Sequence, residues 1–202
     1  MNLHKSVPLT AAAALLAWCL GGALASTRAT AGTTTPPATA QHATYTDDEV
    51  TKAANTFFKN GAQDLGNVLS KVLKEKGQPI AIIRGEEGGG AIGVGLRYGH
   101  GELAYKGGAG RKLYWQGPSI GFDFGANAVK VFALVYDLPS AERLFRRFPG
   151  VEGSLYFVGG FGVNYVQSDG IVIAPVRFGV GWRQGLSVGY MNFSAKRRIN
   201  PF

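Results

Sequence analysis

From residue 46 onward the chain alternates apolar and polar positions in two different rhythms. Val50, Ala53, Ala54, Phe57 and Phe58 recur at spacings of three and four, which sets them on one face of a helix. Thr46 and Glu49 have the spacing of a capping box, and Asp47 and Asp48 add negative charge to the first turn. Asn60-Gly61 is the expected stop. Leu65, Val68, Leu69, Val72 and Leu73 repeat the pattern, with Lys71, Lys74 and Lys76 toward the end, where cations are favoured. Gly77 closes this second helix and Pro79 prevents its continuation. The two segments read as a helical hairpin that covers part of a sheet.

After Pro79 the period becomes two. Residues 80–84, 91–101, 103–106, 112–116, 119–124 and 128–136 read as strands, the last as the most buried because its positions are apolar on both faces. Pro139-Ser140 opens a short helix that Pro149-Gly150 ends. Strands resume over 154–158, 162–167, 171–178 and 185–193, with Asp169-Gly170 as a tight hairpin turn. This pattern predicts a mainly β fold. The expected form is a small closed or nearly closed antiparallel β-barrel of about eight strands, with an N-terminal helical hairpin and one short inserted helix.

The residues before 46 follow neither rhythm. Lys5, an apolar run over 9–24 and Ala23-Leu24-Ala25 make a secretory signal peptide of residues 1–25. The run is too short to span a bilayer. Residues 26–45 are Ser, Thr, Ala, Gly and Pro and read as a flexible leader. The expected organisation is therefore a signal peptide, this leader, a helical segment at 46–78 and a Gly-rich β-barrel at 79–202. The expected location is the periplasm, and the only cysteine, Cys19, falls in the part removed.

Composition sharpens this picture. All but six of the 30 glycines lie at or after Gly85, where they permit close backbone approach and sharp coiling of strands. The net charge of +8 favours anionic partners. Export and the lack of an aromatic-basic repeat exclude nucleic acid. Phe202 at the end of an alternating strand would suit an outer-membrane barrel, but Lys196-Arg197-Arg198 and Pro201 interrupt that strand. The strands are also short for a bilayer, so the protein is expected to be peripheral to a membrane at most.

Catalytic motifs fail on context. Gly88-Gly89-Gly90-Ala91-Ile92-Gly93 fits a dinucleotide fingerprint, yet a strand rather than a helix follows it. Gly117-Pro118-Ser119-Ile120-Gly121 fits a nucleophile elbow, but the next residues alternate as a strand and no later histidine exists. After the signal peptide, the two isolated histidines His42 and His100 without cysteine leave no metal ligand set. The expectation is a protein that is not an enzyme and uses no metal or cofactor.

The candidate ligand-binding residues lie in the sheet region. Tyr114, Trp115 and Gln116 stand where a strand nears Gly117-Pro118, as amphipathic aromatics at a ligand mouth or as core. Arg97, Arg177 and Arg183 sit in Gly-flanked strands. Converging guanidiniums bind carboxylate or phosphate. Tyr98 and the Glu86-Glu87 pair complete the set. Glu86 and Glu87 face opposite ways unless the turn bends them together. Arg197 and Arg198 read as a solvated patch.

Gly85-Glu86-Glu87-Gly88, Gly95-Leu96-Arg97-Tyr98-Gly99 and the run from Tyr114-Trp115-Gln116 to Ser119-Ile120-Gly121 are similar to the envelope integrity protein A family of alphaproteobacteria. Leu134-Val135-Tyr136-Asp137-Leu138-Pro139-Ser140, Phe148-Pro149-Gly150-Val151-Glu152-Gly153-Ser154, Ala174-Pro175-Val176-Arg177-Phe178-Gly179 and Asn200-Pro201-Phe202 extend the likeness. The resemblance implies a periplasmic small β-barrel needed for envelope integrity, without established catalysis. His100 departs from the acidic residue of the family's Gly-x-Gly turn. The sheet also resembles SYLF lipid-binding domains. The expected partner is an envelope component (peptidoglycan, lipopolysaccharide, lipid or envelope protein), with a carrier of lipid or another small apolar ligand as the alternative.

Overall fold

A computed structural model describes residues 42–59, 63–123, 128–178 and 189–198. The expected signal peptide, the expected leader up to residue 41 and the expected stop at Asn60-Gly61 lie outside the described residues.

Helix α1 spans Asp47–Phe58 and opens with the capping box that Thr46 and Glu49 predict. The Thr46 amide donates to the Glu49 carboxylate at 2.8 Å, and the Glu49 amide donates to the Thr46 hydroxyl at 3.3 Å. Lys59 ends the helix in the left-handed region. Helix α2 spans Gln63–Lys76 and closes at Gly77, whose φ is 77° and whose amide donates to the Leu73 carbonyl at 2.8 Å.

Strand β1 runs without a break over Ala81–Tyr105 and β2 over Arg111–Asp123. Three expected strands are thus one, and two more are another. The glycines, read from the sequence as sites of close approach and coiling, here bend a continuous strand. Residues 81–87 of β1 pair with β3, Val129–Tyr136, while residues 91–103 pair with β2. The two limbs of β1 then approach face to face. A Cβ on Gly85 would lie 2.1 Å from the His100 carbonyl oxygen and 2.8 Å from the Gly101 Cα. A Cβ on Gly89 would lie 2.4 Å from the Leu96 oxygen. Only glycine allows backbones this close.

A short 3-10 turn at Ala141–Leu144 leads into β4, Arg147–Pro149, a strand where the sequence suggested the end of a helix. Strands β5 (Tyr156–Val158), β6 (Phe161–Val163), β7 (Val166–Ser168), β8 (Ile171–Phe178) and β9 (Tyr190–Ser194) follow. Asp169 and Gly170, with φ of 48° and 80°, make the predicted hairpin turn between β7 and β8. The nine strands form one antiparallel sheet in the order β4-β9-β2-β1-β3-β8-β6-β5, with β7 also on β8. An isolated bridge, Gly150 to Val166, and the bond from the Val151 amide to the Tyr165 carbonyl link β4 to β7.

Strand alternation sorts the core into two layers. Ile82, Phe132, Leu134, Val163, Ala174 and Val176 meet Val50, Ala54, Leu65, Val68 and Val72 of the helices. Ile83, Leu103, Leu113, Val131, Val135, Phe148, Ile173 and Phe193 fill the concave side of the sheet. Strand β3 has apolar side chains in both layers, which accounts for its apolar run over Val131–Tyr136. Each Val, Leu, Ile or Phe buried in this way contributes about 1.5–3 kcal/mol relative to its exposed state.

Candidate functional site

The alternation of β1 and β2 divides the sequence candidates between two faces. Glu87, Arg97 and Trp115 point into the concave interior, and Arg177 joins them from β8. Arg177 is fully buried and Glu87, Arg97 and Trp115 are nearly so, so these two guanidiniums do converge on a carboxylate, but on one of the chain's own. The Arg177 Nε donates to Glu87 Oε1 at 2.6 Å, and the Trp115 indole Nε1 donates to Glu87 Oε2 at 2.9 Å. Arg177 also donates to Asn164 Oδ1 at 2.5 Å and to the Met191 sulfur at 3.3 Å. Trp115 reaches this position because Gly99 faces it. A Cβ there would lie 2.1 Å from the indole ring.

Burial alone would raise the Glu87 carboxyl pKa. The Arg177 and Arg97 guanidiniums and the two hydrogen bonds outweigh it and hold that carboxyl below its ordinary range. Burial and then the neighbouring Arg177 push the Arg97 guanidinium down to about 10, against the pull of Glu87. Arg97 therefore stays charged at neutral pH. Among the buried polar side chains described, Glu87 is the only carboxylate. The centre thus holds two cations on one anion inside a packed interior. Its chemistry is that of a structural ion cluster: each carboxylate oxygen of Glu87 accepts a charged or polar donor.

The outer face is different. Tyr98, His100 and Glu102 of β1 stand opposite Gln116, Tyr114 and Lys112 of β2. Tyr114 in turn pairs with Ser194 of β9. The Ser194 hydroxyl donates to the Lys196 carbonyl at 2.8 Å and turns the chain back beside the sheet. Arg197 and Arg198, read from the sequence as a solvated patch, thereby line a groove of about 390 Å³ with Tyr98, His100, Tyr114, Gln116 and Ser194. Gln116, only 3 % exposed, lies in its floor.

Glu86 faces outward, opposite in sense to Glu87, and lines a second groove with Arg84, Phe57 and Lys112. Arg183 lies outside the described residues. The candidates are therefore not one site. Tyr98, Tyr114, Gln116 and Glu86 belong to the outer surface. Glu87, Arg97, Trp115 and Arg177 belong to the interior. Sequence reasoning missed Asn164 and Met191 inside, and Ser194, Arg197 and Arg198 outside. Tyr98 and His100 share a parity with Glu102, so strand alternation alone could have placed them on one face.

Among the described residues no helix is long and apolar enough to cross a membrane. The two runs that match catalytic fingerprints both lie in strands, β1 and β2, and neither opens a helix.

The family model for envelope integrity protein A matches residues 43–202. A crystal structure described as a β-barrel-like, uncharacterised protein from Brucella abortus is similar, with 41% identity and a TM-score of 0.72. The match covers 79% of this chain and 99% of that one. No curated protein matches.

Proposed function

The chain belongs to the envelope integrity protein A family, and from that premise we propose a non-enzymatic periplasmic protein that supports the bacterial cell envelope by binding one of its components. The observation that carries this reading is the outer groove at Tyr98, His100, Tyr114, Arg197 and Arg198. Aromatic rings and two guanidiniums converge there on the surface. Such a set suits sugars, carboxylates and phosphates, the chemistry of peptidoglycan and lipopolysaccharide.

The carrier reading has less support. Trp115, Phe148, Phe193 and Met191 are buried in the concave side, so an apolar ligand would have to displace packed side chains. We take the sheet to be a nearly closed barrel whose seam is the Gly150–Val166 bridge.

The test is complementation of a deletion strain. A chain carrying Tyr114→Ala, Arg197→Ala and Arg198→Ala should accumulate normally and fail to restore growth under detergent or EDTA stress. It should also lose co-sedimentation with purified sacculi or lipopolysaccharide. Full rescue by the triple variant would remove the groove from the function.

A further inference from the structure

The groove does not end at Arg197. It shares His100 and Tyr114 with a second groove of about 440 Å³, which Arg84, Glu86, Glu102 and Lys112 also line. That second groove shares Phe57 and Arg84 with a third of about 590 Å³, bounded by Glu49, Lys52, Ala53 and Thr56 of α1. The three form one path from the end of β9, across β1 and β2, to the outer side of α1. From this continuity we infer that the groove is an extended site for an unbranched anionic polysaccharide rather than a pocket for one headgroup. The inference rests on the binding role proposed above and names its ligand class.

The pairing of β1 with β2 supplies the geometry. Tyr98 with Gln116, His100 with Tyr114 and Glu102 with Lys112 are three successive rungs on one face. Successive rungs on one face of an antiparallel pair are about 7 Å apart, so these residues alone cover about 14 Å. A ladder of regular spacing faces a ligand of regular spacing. The side chains along it combine ring faces (Tyr98, His100, Tyr114, Phe57) with hydrogen-bonding or charged groups. Amphipathic rings accept the apolar face of a sugar while their polar edges stay wet.

Charge sets the polarity of the ligand. Arg197 and Arg198 stand at one end, where no carboxylate is among the described lining residues, with Lys112 and Arg84 in the middle and Lys52 at the far end. Glu49 is already engaged by Lys106 at 2.7 Å. Glu86 and Glu102 remain as acceptors for sugar hydroxyls. A lipid would need an enclosed apolar slot for its chains, and the adjoining interior is filled by side chains.

Calorimetric titration of the purified exported chain with oligogalacturonates from dimer to octamer tests this. Affinity should tighten by about tenfold between dimer and hexamer and then level off, as added units reach further compartments. Maltohexaose, neutral and of equal length, should bind at least about tenfold more weakly than the hexamer. Arg84→Ala, an exposed change in the middle compartment, should weaken the hexamer about fivefold. Equal affinity for dimer and hexamer, or a hexamer indifferent to Arg84→Ala, would overturn the extended site while leaving the envelope-binding role standing. Binding to phosphatidylglycerol vesicles without binding to any oligomer would replace the polysaccharide with a lipid. Failure of all these ligands, with full rescue by the triple variant, would remove both readings.

Discussion

Two sets of polar residues sit back to back on β1 and β2, the inner one completed by Arg177 of β8. Glu87, Arg97 and Arg177 are sealed inside with Trp115, whereas Glu86, Tyr98, Tyr114 and His100 line open grooves. Neighbours in sequence fall on different sides because successive strand residues face opposite ways. Within the inner set Glu87, Trp115 and Arg177 have fixed partners at 2.5–3.3 Å. The outer set lines grooves open to solvent. Polar residues therefore form a buried ion cluster on one face and an open surface on the other. Parity along the strand, rather than residue type, decides which.

The largest test of this contrast is Glu87→Gln. It keeps the size of the side chain and removes the carboxylate that faces two guanidiniums in the interior. Breaking a buried ion pair in this way costs about 3–5 kcal/mol, so urea unfolding should shift strongly or the folded protein should not accumulate. Glu86→Gln, one residue away and exposed, should leave the urea midpoint nearly unchanged. Equal effects of the two would break the comparison. The same carboxylate predicts the response to acid. Its folded pKa lies below the ordinary 4.5, so its contribution is fully present above pH 4.5 and is lost as pH falls through the folded value. Stability of the wild type should decline below pH 4.5. Glu49 and Glu142 are also lowered by Lys106 and Arg111 respectively, but both are exposed and add little.

A smaller effect is expected where glycine brings the inner set together. Gly99→Ala would drive a methyl to 2.1 Å from the Trp115 ring, and Gly85→Ala would drive one into the His100 carbonyl at the same distance. The second obstacle is backbone and cannot swing aside. Overpacking of this kind costs about 1–3 kcal/mol, with Gly85→Ala at the upper end. Gly88 has nothing within 4 Å of its Cβ position, and Gly88→Ala should shift the thermal midpoint very little. If all three alanines behaved alike, the two limbs of β1 would not be in contact.

These glycines also mark how far the sequence could be read. Strands β3 and β8, the Thr46–Glu49 cap and the Asp169-Gly170 turn followed from short-range rules that need no knowledge of the rest of the chain. The 25-residue β1 did not. Each glycine in it reads locally as a break, and only the opposing limb shows that the strand continues and folds on itself. The buried arginines were hidden for the same reason. Arg97 and Arg177 are 80 residues apart, and nothing near either one announces that Glu87 will lie between them. Trp115 was legible as core or as ligand surface. Its partner Glu87 decides for core, and its neighbours Tyr114 and Gln116 face the groove. Arg197 and Arg198 looked solvated and are exposed, but the turn held by Ser194 gives them a groove to line.

The smallest effect on stability is expected from the outer set, and its smallness is informative. Arg198→Ala removes an exposed guanidinium that lines the first groove. An exposed substitution of this kind stays within about 0.5 kcal/mol, so the thermal and urea midpoints should match the wild type. Binding should not match. Loss of one charge from the rim of a charged site weakens an anionic ligand mainly through association and steepens with falling salt. Surface plasmon resonance against immobilised lipopolysaccharide should therefore show a slower association for Arg198→Ala. The gap from the wild type should be widest at low ionic strength and narrow as salt is added. An unchanged association rate at low salt would show that this end of the groove does not meet the ligand. A lowered melting point would place Arg198 with the structural residues and erase the distinction between the two faces.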